Sequence, residues 1–143
     1  MDNRLKILFL CTGNSCRSQI AEGCARHLLS DQVTPFSAGI IAKGIDPVAV
    51  KVMKELGIDI SDQHSKNIDE VAGIEFDYVI TLCGHADENC PIFPAKTKII
   101  HRGFDDPPKL AAGAKDEEEK LAHYRRVRNE IRKYIETLPA SLK

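Results

Sequence analysis

Short apolar runs alternate with amphipathic stretches along the chain, and this alternation constrains the fold more than any other feature. Four apolar runs read as strands: Leu5 to Leu10, Gln32 to Ser37, Phe76 to Leu82 and Thr97 to His101. Apolar spacing and caps indicate four helices: Ser18 to Leu29, Asp46 to Gly57, Ser65 to Val71 and Asp116 to Leu138. Gly103 to Ala114, rich in Gly, Pro and Asp, is predicted to be loop. The order predicts a three-layer α/β fold, with a four-stranded, mostly parallel sheet covered by helices on both faces.

Length and composition narrow the partners that the chain can have. Its 143 residues predict a single domain over 1–143, large enough to stand as a monomer. The net charge of −1 gives no reason to expect nucleic acid as a partner. No apolar run approaches the ~20 residues of a membrane span, and no signal peptide is evident, so a cytoplasmic protein without a membrane partner is expected. Five cysteines are then expected to stay reduced, as core residues, metal ligands or reactive groups.

The segment after the first predicted strand carries the strongest chemical signal. Cys11 and Arg17, with five residues between them, lie between this buried strand and a helix. In such a loop the backbone N–H groups form an anion site, the helix N-terminus adds donors, and the Arg17 fork matches two oxygens of a tetrahedral oxyanion. Gly13 and Asn14 tolerate the positive φ that the loop needs. This field favours a Cys11 thiolate, a nucleophile for the central atom of the oxyanion, with Ser18 as a hydrogen-bond donor to it.

The segment Cys11 to Gly23 resembles the phosphate-binding loop of the low-molecular-weight protein tyrosine phosphatase fold. Ser37 to Gly39, after the second predicted strand, is similar to the same family, and the resemblance spans nearly the whole chain. It implies a phosphate-binding loop directly after the first strand. The oxyanion-binding residues implied are Thr12, Gly13, Asn14, Ser15, Cys16, Arg17 and Ser18.

A displacement at a tetrahedral oxyanion needs a proton donor for the departing oxygen. In the family this general acid is the Asp directly before a Pro, which implies Asp106, while the adjacent Asp105 stays an alternative. An Asp-Pro pair also forms turns without any catalytic role. In the phosphatases an aromatic residue usually follows and grips the phosphotyrosine ring, but Pro108 and Lys109 follow here. This difference counts against an aryl phosphate as the substrate.

Two further cysteines, Cys83 and Cys90, follow the third predicted strand. With Cys11 they resemble the thiols of the thioredoxin-coupled arsenate reductases, which share the phosphatase fold. The resemblance implies that Cys11 attacks arsenate, Cys83 attacks Cys11 as arsenite leaves, and Cys90 then forms a Cys83–Cys90 disulfide that thioredoxin reduces. Two thiols supply the two electrons that arsenic(V) needs. The polar segment Gly84 to Asn89 is expected to unfold or loop out so that Cys90 reaches Cys83.

Alternatives stay open for these two cysteines and for the function. Cys83 and Cys90 also read as ordinary loop thiols, or as a metal site with His85 and His101, although that spacing is uncommon for zinc. One competing function is a low-molecular-weight phosphatase that needs only the first cysteine, the arginine and the general acid. Another is a redox-sensing module that binds oxyanions.

The remaining two cysteines read differently from each other. Cys24 lies on the apolar face of the first predicted helix and is predicted to be core. Cys16 lies inside the loop, and some phosphatases of this fold protect their nucleophile by a disulfide with a second loop cysteine. A disulfide of Cys16 with Cys11 is therefore a possible backup role.

Some arsenate reductases of this type bind potassium beside the catalytic loop, and the matching positions are Asn14, Glu22 and Ser37. The fourth ligand is an Asp in those proteins, and Lys66 stands at that position here. We therefore expect the Lys66 ammonium to approach Glu22 and to replace the cation. The expected ligands are arsenate or phosphate-like oxyanions, with thioredoxin as electron donor and no tightly bound cofactor.

Overall fold

The computed structural model describes residues 3–142, and strands and helices alternate along them. The strands are β1 (Leu5–Cys11), β2 (Val33–Gly39), β3 (Tyr78–Thr81) and β4 (Lys98–His101). The α-helices are α1 (Arg17–Leu28), α2 (Pro47–Lys54), α3 (Gly84–Glu88), α4 (Pro107–Ala111) and α5 (Glu117–Glu136). Two 3₁₀ helices cover Ile68–Val71 and Ala140–Leu142. Within this part of the chain, no helix has both the length and the apolar character needed to cross a bilayer.

The four strands form one parallel sheet in the order β2-β1-β3-β4. Strand β1 pairs with a neighbour on each side, and its residues from Ile7 to Cys11 are almost completely buried. A central parallel strand is covered on both faces, which is why its sequence is a continuous apolar run instead of an alternating one. The predicted α/β fold class is confirmed, and the sheet is parallel throughout.

Side chains of β2 show what covers each face of the sheet. The hydroxyl of Ser37 donates to the carboxylate of Glu22, so this residue faces α1. The neighbouring Phe36 points to the opposite face, where its ring packs edge-on against Phe76, which in turn packs against Phe93. Helices α1, α2 and α5 pack against one another. The sheet edge at the carboxyl ends of the strands is left for the site.

The prediction of a loop over Gly103 to Ala114 is wrong at its centre, where α4 covers Pro107–Ala111. Pro107 and Pro108 occupy the first two helical positions, where their fixed φ suits a helix and no amide donor is needed. Proline therefore starts this helix, whereas the composition of the segment suggested a loop.

The prediction of a helix over Ser65 to Val71 is also wrong in extent, because only Ile68–Val71 is helical and it is a 3₁₀ helix. The carbonyl of Lys66 accepts a hydrogen bond from Gly39, and Asn67 pairs with Gly39 as a parallel bridge. Residues 65–67 therefore run beside the end of β2. A tertiary contact overrides the weak helical pattern here.

Candidate active site

Three strand ends bring the predicted site residues to one edge of the sheet. In the strand register Leu10 lies beside Thr81 of β3, which in turn lies beside His101 of β4. Cys11 ends β1 one residue beyond Leu10, and Cys83 follows β3. Because parallel strands end at the same edge, the loops after β1, β3 and β4 meet there.

The loop 11–17 turns its carbonyl groups outward. Five of its carbonyl oxygens accept hydrogen bonds from outside the loop, namely those of Cys11, Thr12, Gly13, Asn14 and Ser15. Four of the donors are backbone amides between Ile40 and Asp46, at 2.9 to 3.2 Å, and the fifth is the Gln19 side chain at 3.1 Å. In a trans peptide the following N–H points opposite to the carbonyl. The amides of residues 12–16 therefore face the other way, into the predicted anion cradle.

Asn14 organises this loop from inside the protein. It is fully buried and is the one described non-glycine residue with a positive φ, at 48°. Its amide nitrogen donates to the hydroxyls of Ser18 at 2.8 Å and Ser37 at 3.0 Å. Its amide oxygen accepts from Gln19 and from the Lys66 backbone, both at 2.9 Å. The Asn14 side chain thus supports the cradle from behind, and its contribution to oxyanion binding is restricted to its backbone amide.

The nucleophile position has a hydroxyl poised beside it. Cys11 is 3% exposed, and its Sγ lies 2.8 Å from the Oγ of Ser18. Because Ser18 Oγ already accepts a hydrogen bond from the Asn14 amide, its own hydrogen is free to point at the sulfur. The Ser18 hydroxyl is therefore placed to donate a hydrogen bond to the Cys11 sulfur.

Gly39 is needed where the segment after β2 crosses the loop. A Cβ added there would lie 2.6 Å from the Asn14 amide nitrogen and would collide with the Ile41 carbonyl. The Ser37 to Gly39 motif therefore combines two requirements: a hydroxyl for Asn14 and no side chain at the point of closest approach.

Arg17 and Asp106 face each other at this edge. The Arg17 guanidinium donates to the Phe104 carbonyl at 3.0 Å and lies 3.7 Å from the Asp106 carboxylate. Asp105 instead pairs with Arg126 of α5 at 2.9 Å. Asp106 is 40% exposed and lines the same cleft as Cys11, whereas Asp105 does not. The geometry therefore favours Asp106 over Asp105 as a proton donor.

The cleft itself has a volume of about 430 Å³. Besides the loop residues and Asp106, its lining includes Lys43, Ile45, Asp46 and Pro108. Asp46 is a second carboxylate in this cleft and was not predicted there, because from the sequence it is the N-cap of α2. It does cap α2, with one oxygen accepting from the Val48 amide at 2.9 Å.

The second Asp46 oxygen accepts from the Tyr124 hydroxyl of α5 at 2.6 Å. Burial, followed by this hydrogen bond, raises the pKa of Tyr124, so its proton is retained. Sequence reasoning missed the pair because the two residues are 78 positions apart. The Asp46-Pro47 helix start was the one available signal, and it pointed only to a cap.

Cys83 lies beside the cradle and at the start of a helix. It is 7% exposed, its Sγ is 3.2 Å from Thr12 Oγ1, and the sulfur accepts from the Ala86 amide at 3.4 Å. The polar segment that follows, predicted to rearrange during the relay, is the helix α3. Cys83 is its N-cap, so its sulfur bonds to an amide in the first turn of this helix.

Cys90 lies just beyond the other end of α3 and is half-buried. Burial, and then the nearby Asp87, raise the pKa of its thiol. Cys83 and Cys90 are seven positions apart, and α3 lies between them. At a helical rise of ~1.5 Å per residue, their Cα atoms are about 10 Å apart. A disulfide needs Cα atoms within ~7 Å, so this pair requires α3 to unwind.

The other two thiols are buried. Burial raises the pKa of Cys24 to about 12, as expected for a core residue. Cys16 is 4% exposed at the N-cap of α1, and burial, followed by the Asp46 charge, raises the pKa of its thiol well above the ordinary value. Cys16 therefore keeps its proton at neutral pH and is a neutral thiol beside the cleft. The backup role of Cys16 stays a prediction.

A family comparison identifies the architecture. The family model described as low molecular weight phosphotyrosine protein phosphatase matches residues 6–143. The chain belongs to this family. The loop after β1, the Ser37 to Gly39 crossing and Asp106 before Pro107 are the structural counterparts of the motifs that suggested it.

Three similar proteins are all arsenate reductases by name, and two of them match this chain over nearly their whole length. The arsenate reductase of Halalkalibacterium halodurans is 54% identical over 135 residues, which cover 94% of this chain and 95% of that protein. A solved arsenate reductase in the phosphate binding state covers 97% of this chain and 99% of its own, at 31% identity and a TM-score of 0.74. The thioredoxin-dependent arsenate reductase of Corynebacterium glutamicum covers 96% of this chain and 63% of its own, at 26% identity and a TM-score of 0.66.

Two predicted ion sites have different outcomes. Within residues 3–142, no group of three His, Cys, Asp or Glu is arranged to hold a metal ion, so the alternative site of Cys83, His85, Cys90 and His101 is not formed. At the potassium position, the Lys66 ammonium lies 3.8 Å from the Glu22 carboxylate, and both side chains are nearly buried.

The oxygens that would bind potassium are already engaged. Glu22 accepts from Ser37 on one oxygen and from Arg26 at 2.6 Å on the other. Asn14 uses its amide oxygen for Gln19 and for the Lys66 backbone. An ammonium and a full set of hydrogen-bond donors occupy this position, so the residues present do not fit a potassium ion.

Proposed function

We propose that this protein reduces arsenate to arsenite through the thiols of Cys11, Cys83 and Cys90. The observation that carries the proposal is the cradle of inward-facing amides with Cys11 at its base and a second thiol, Cys83, at the same sheet edge. An oxyanion-binding hydrolase needs only the first of these thiols. The 54% identity to an arsenate reductase over almost the whole chain supports the same choice.

In the proposed first step, the Cys11 thiolate attacks the arsenic of arsenate held by the loop amides and Arg17. Asp106 gives its proton to the departing oxygen, which leaves as water, and a sulfur–arsenic bond forms. The Cys83 thiolate then attacks the Cys11 sulfur. The sulfur–arsenic bond breaks with its electron pair on arsenic, so As(V) becomes As(III) and leaves as arsenite, while a Cys11–Cys83 disulfide remains.

In the second step, the Cys90 thiolate attacks Cys83, and Cys11 leaves as a thiolate ready for another arsenate. The relay is needed because Cys11 lies at the base of the cradle and is almost inaccessible to a partner protein. A thioredoxin dithiol then reduces the Cys83–Cys90 disulfide at the surface. The similarity to the thioredoxin-dependent arsenate reductase of Corynebacterium glutamicum supports thioredoxin as this donor.

We propose further that Lys66 replaces a potassium ion behind the loop and that activity does not require potassium. Its ammonium neutralises Glu22, which is a nearly buried carboxylate and, among residues 3–142, would otherwise keep Arg26 alone as a cationic partner within 4 Å. A cytoplasmic location is proposed because the relay depends on reduced thiols, and a monomer is proposed because a chain of 143 residues buries a sufficient core by itself.

The test is NADPH consumption with arsenate, thioredoxin and thioredoxin reductase. Wild-type protein is expected to turn over repeatedly, whereas Cys11→Ser and Cys83→Ser are expected to lose activity. Cys90→Ser is expected to release one equivalent of arsenite and then stop as a Cys11–Cys83 disulfide. Cys24→Ala is the matched control, since it removes a buried thiol outside the relay and should retain turnover. Full arsenate turnover by Cys83→Ser or Cys90→Ser would contradict the relay.

A low-molecular-weight phosphatase is the second candidate, favoured by the family match and by the sufficiency of Cys11, Arg17 and Asp106 for hydrolysis. Hydrolysis of a chromogenic aryl phosphate distinguishes the two. Fast hydrolysis with no arsenate turnover would establish the phosphatase. Slow hydrolysis beside fast arsenate turnover is the result expected of a cradle that accepts both oxyanions. No turnover of either substrate, with disulfides that form on oxidation, would leave the redox-sensing module.

A further inference from the structure

Thr81 joins three elements through one buried hydroxyl. This residue ends β3, is fully buried, and its Oγ1 donates to the Asp87 carboxylate of α3 at 3.2 Å. The same oxygen lies 2.8 Å from Nδ1 of His101, at the end of β4, which can donate to it. His101 and Asp87 themselves are 4.0 Å apart. We call Thr81, Asp87 and His101 the Thr81 latch.

The latch holds the segment that separates the second and third thiols of the proposed relay. Helix α3 has five residues, Gly84–Glu88, and only Ala86 among them is buried. A helix this short is unstable by itself, because nucleation costs more than its few hydrogen bonds return. Contacts with the rest of the protein must hold it, and the Asp87 contact with Thr81 joins its polar face to the sheet.

The folded helix serves the first half of the relay and blocks the second. While α3 is folded, Cys83 is its N-cap and lies 3.2 Å from Thr12 in the nucleophile loop. Cys90 is then too distant for a disulfide with Cys83. Early unwinding would let Cys83 and Cys90 meet before Cys83 has reacted with Cys11.

We propose that Thr81 is a positioning residue that sets the rate at which the disulfide passes from Cys11–Cys83 to Cys83–Cys90. The proposal rests on the relay described above. In the controlled step the Cys90 thiolate attacks Cys83, one disulfide forms as the other breaks, and Cys11 leaves as a thiolate. Release of the latch must precede that attack. Weakening the latch is therefore expected to speed the disulfide transfer, although none of the latch residues takes part in the exchange reaction itself.

Thr81→Val is the direct test, because it removes the hydroxyl and keeps the shape. Hydrogen exchange in the reduced protein, without arsenate, reports on α3 through the amides of Asp87 and Asn89, which bond to the carbonyls of Cys83 and His85. Their exchange is expected to accelerate about fivefold, the factor that one hydrogen bond of ordinary strength supplies. The amide of Val50 in α2 is the internal reference and is expected not to change.

Thr97→Val is the matched control. Thr97 is also a buried threonine, and its hydroxyl donates to the Phe76 carbonyl at 2.6 Å. It lies just before β4, about 13 Å along that strand from His101. Thr97→Val removes a buried hydroxyl, as Thr81→Val does, but Thr97 has no contact with α3. A faster exchange or disulfide transfer seen in both variants would therefore reflect a general loss of stability.

The functional readout is the rate at which the Cys11–Cys83 disulfide is converted to the Cys83–Cys90 disulfide. Reduced protein receives arsenate without thioredoxin, samples are quenched with acid, and the two disulfides are mapped by mass spectrometry. Thr81→Val is expected to convert Cys11–Cys83 to Cys83–Cys90 about fivefold faster than wild type, and Thr97→Val at the wild-type rate. Equal rates in all three proteins, or equal acceleration in both variants, would overturn the proposal.

A second variant keeps the proposal testable if Thr81→Val does not fold. Asp87→Ala changes an exposed residue and removes the acceptor from α3, so faster exchange of the Asn89 amide is expected, and unchanged exchange contradicts the latch. Failure of the relay itself has a separate signature. If Cys90→Ser forms no Cys11–Cys83 disulfide with arsenate, the proposed function is wrong, and the exchange result still decides the latch.

Discussion

The two cysteine neighbourhoods at the sheet edge differ in how they are held. Around Cys11, five loop carbonyls are bonded to groups outside the loop, and the buried Asn14 side chain makes four hydrogen bonds to four different residues. Around Cys83 and Cys90, a five-residue helix with one buried side chain is joined to the sheet through Thr81. The many buried hydrogen bonds around Cys11 keep that neighbourhood rigid, whereas the short helix between Cys83 and Cys90 can unwind. A relay needs both, because oxyanion binding requires fixed donors whereas disulfide transfer requires a thiol that travels.

The largest expected effect tests whether the fixed neighbourhood includes its proton donor. Asp106→Asn is expected to lower kcat for arsenate about 100-fold, because a carboxamide cannot protonate the departing oxygen. Asp105→Asn is the matched control next to it, paired with Arg126 outside the cleft, and should stay within about twofold. Single-turnover arsenite release measures both. A larger loss in Asp105→Asn would reverse the assignment.

The next effect compares the rigidity of the two neighbourhoods directly. Asn14→Ala is expected to lower the free energy of unfolding by about 3 kcal/mol, because it leaves buried partners unpaired and places Ala at a positive φ. Asn89→Ala, at the exposed end of α3, should cost less than about 0.5 kcal/mol. Urea unfolding of both variants checks this. Similar losses would show that the second neighbourhood is as rigid as the first.

A smaller effect tests the ammonium behind the fixed loop. Lys66→Met is expected to make kcat/KM about threefold higher in potassium than in sodium at equal ionic strength, because Glu22 loses a cationic neighbour that a hydrated cation partly replaces. Wild type and Lys96→Met, which removes an exposed pair with Glu75, should not distinguish the two salts. Strong potassium activation of the wild type would show that Lys66 does not replace the ion.

The smallest expected effect concerns the reactivity of the Cys90 thiol. Because burial and the Asp87 charge raise the pKa of Cys90, its thiolate is a minor species at neutral pH and grows about tenfold per unit as pH rises toward that pKa. Alkylation of Cys90 should follow the same slope between pH 7 and 8.5. Asp87→Asn removes the charge but keeps an acceptor for Thr81, so Cys90 should react about twofold faster at pH 7.5. Glu88→Gln is the control, and a flat pH profile would contradict the assignment.

Local patterns predicted the parts of the site that lie close together in the chain. The loop from Cys11 to Ser18 was recognisable because a buried strand, an anion-binding loop and a helix start follow each other without interruption. The Asp46 and Asp116 caps were also readable, since a cap and its partner amide are two or three residues apart. The α4 helix was missed because its prolines are common to loops and to helix starts.

The chain by itself determined a parallel α/β fold, a nucleophile loop and three thiols after strands, because periodicity and strand–loop–helix order are properties of neighbouring residues. Only the tertiary structure decided that Asp106 rather than Asp105 lines the cleft and that the Tyr124 hydroxyl donates a hydrogen bond to Asp46. It also decided that Thr81 joins α3 to the sheet. The residues of the Tyr124–Asp46 pair are distant in sequence, and those of the latch come from three different elements. Such contacts depend on how the elements pack, so no local pattern contains them.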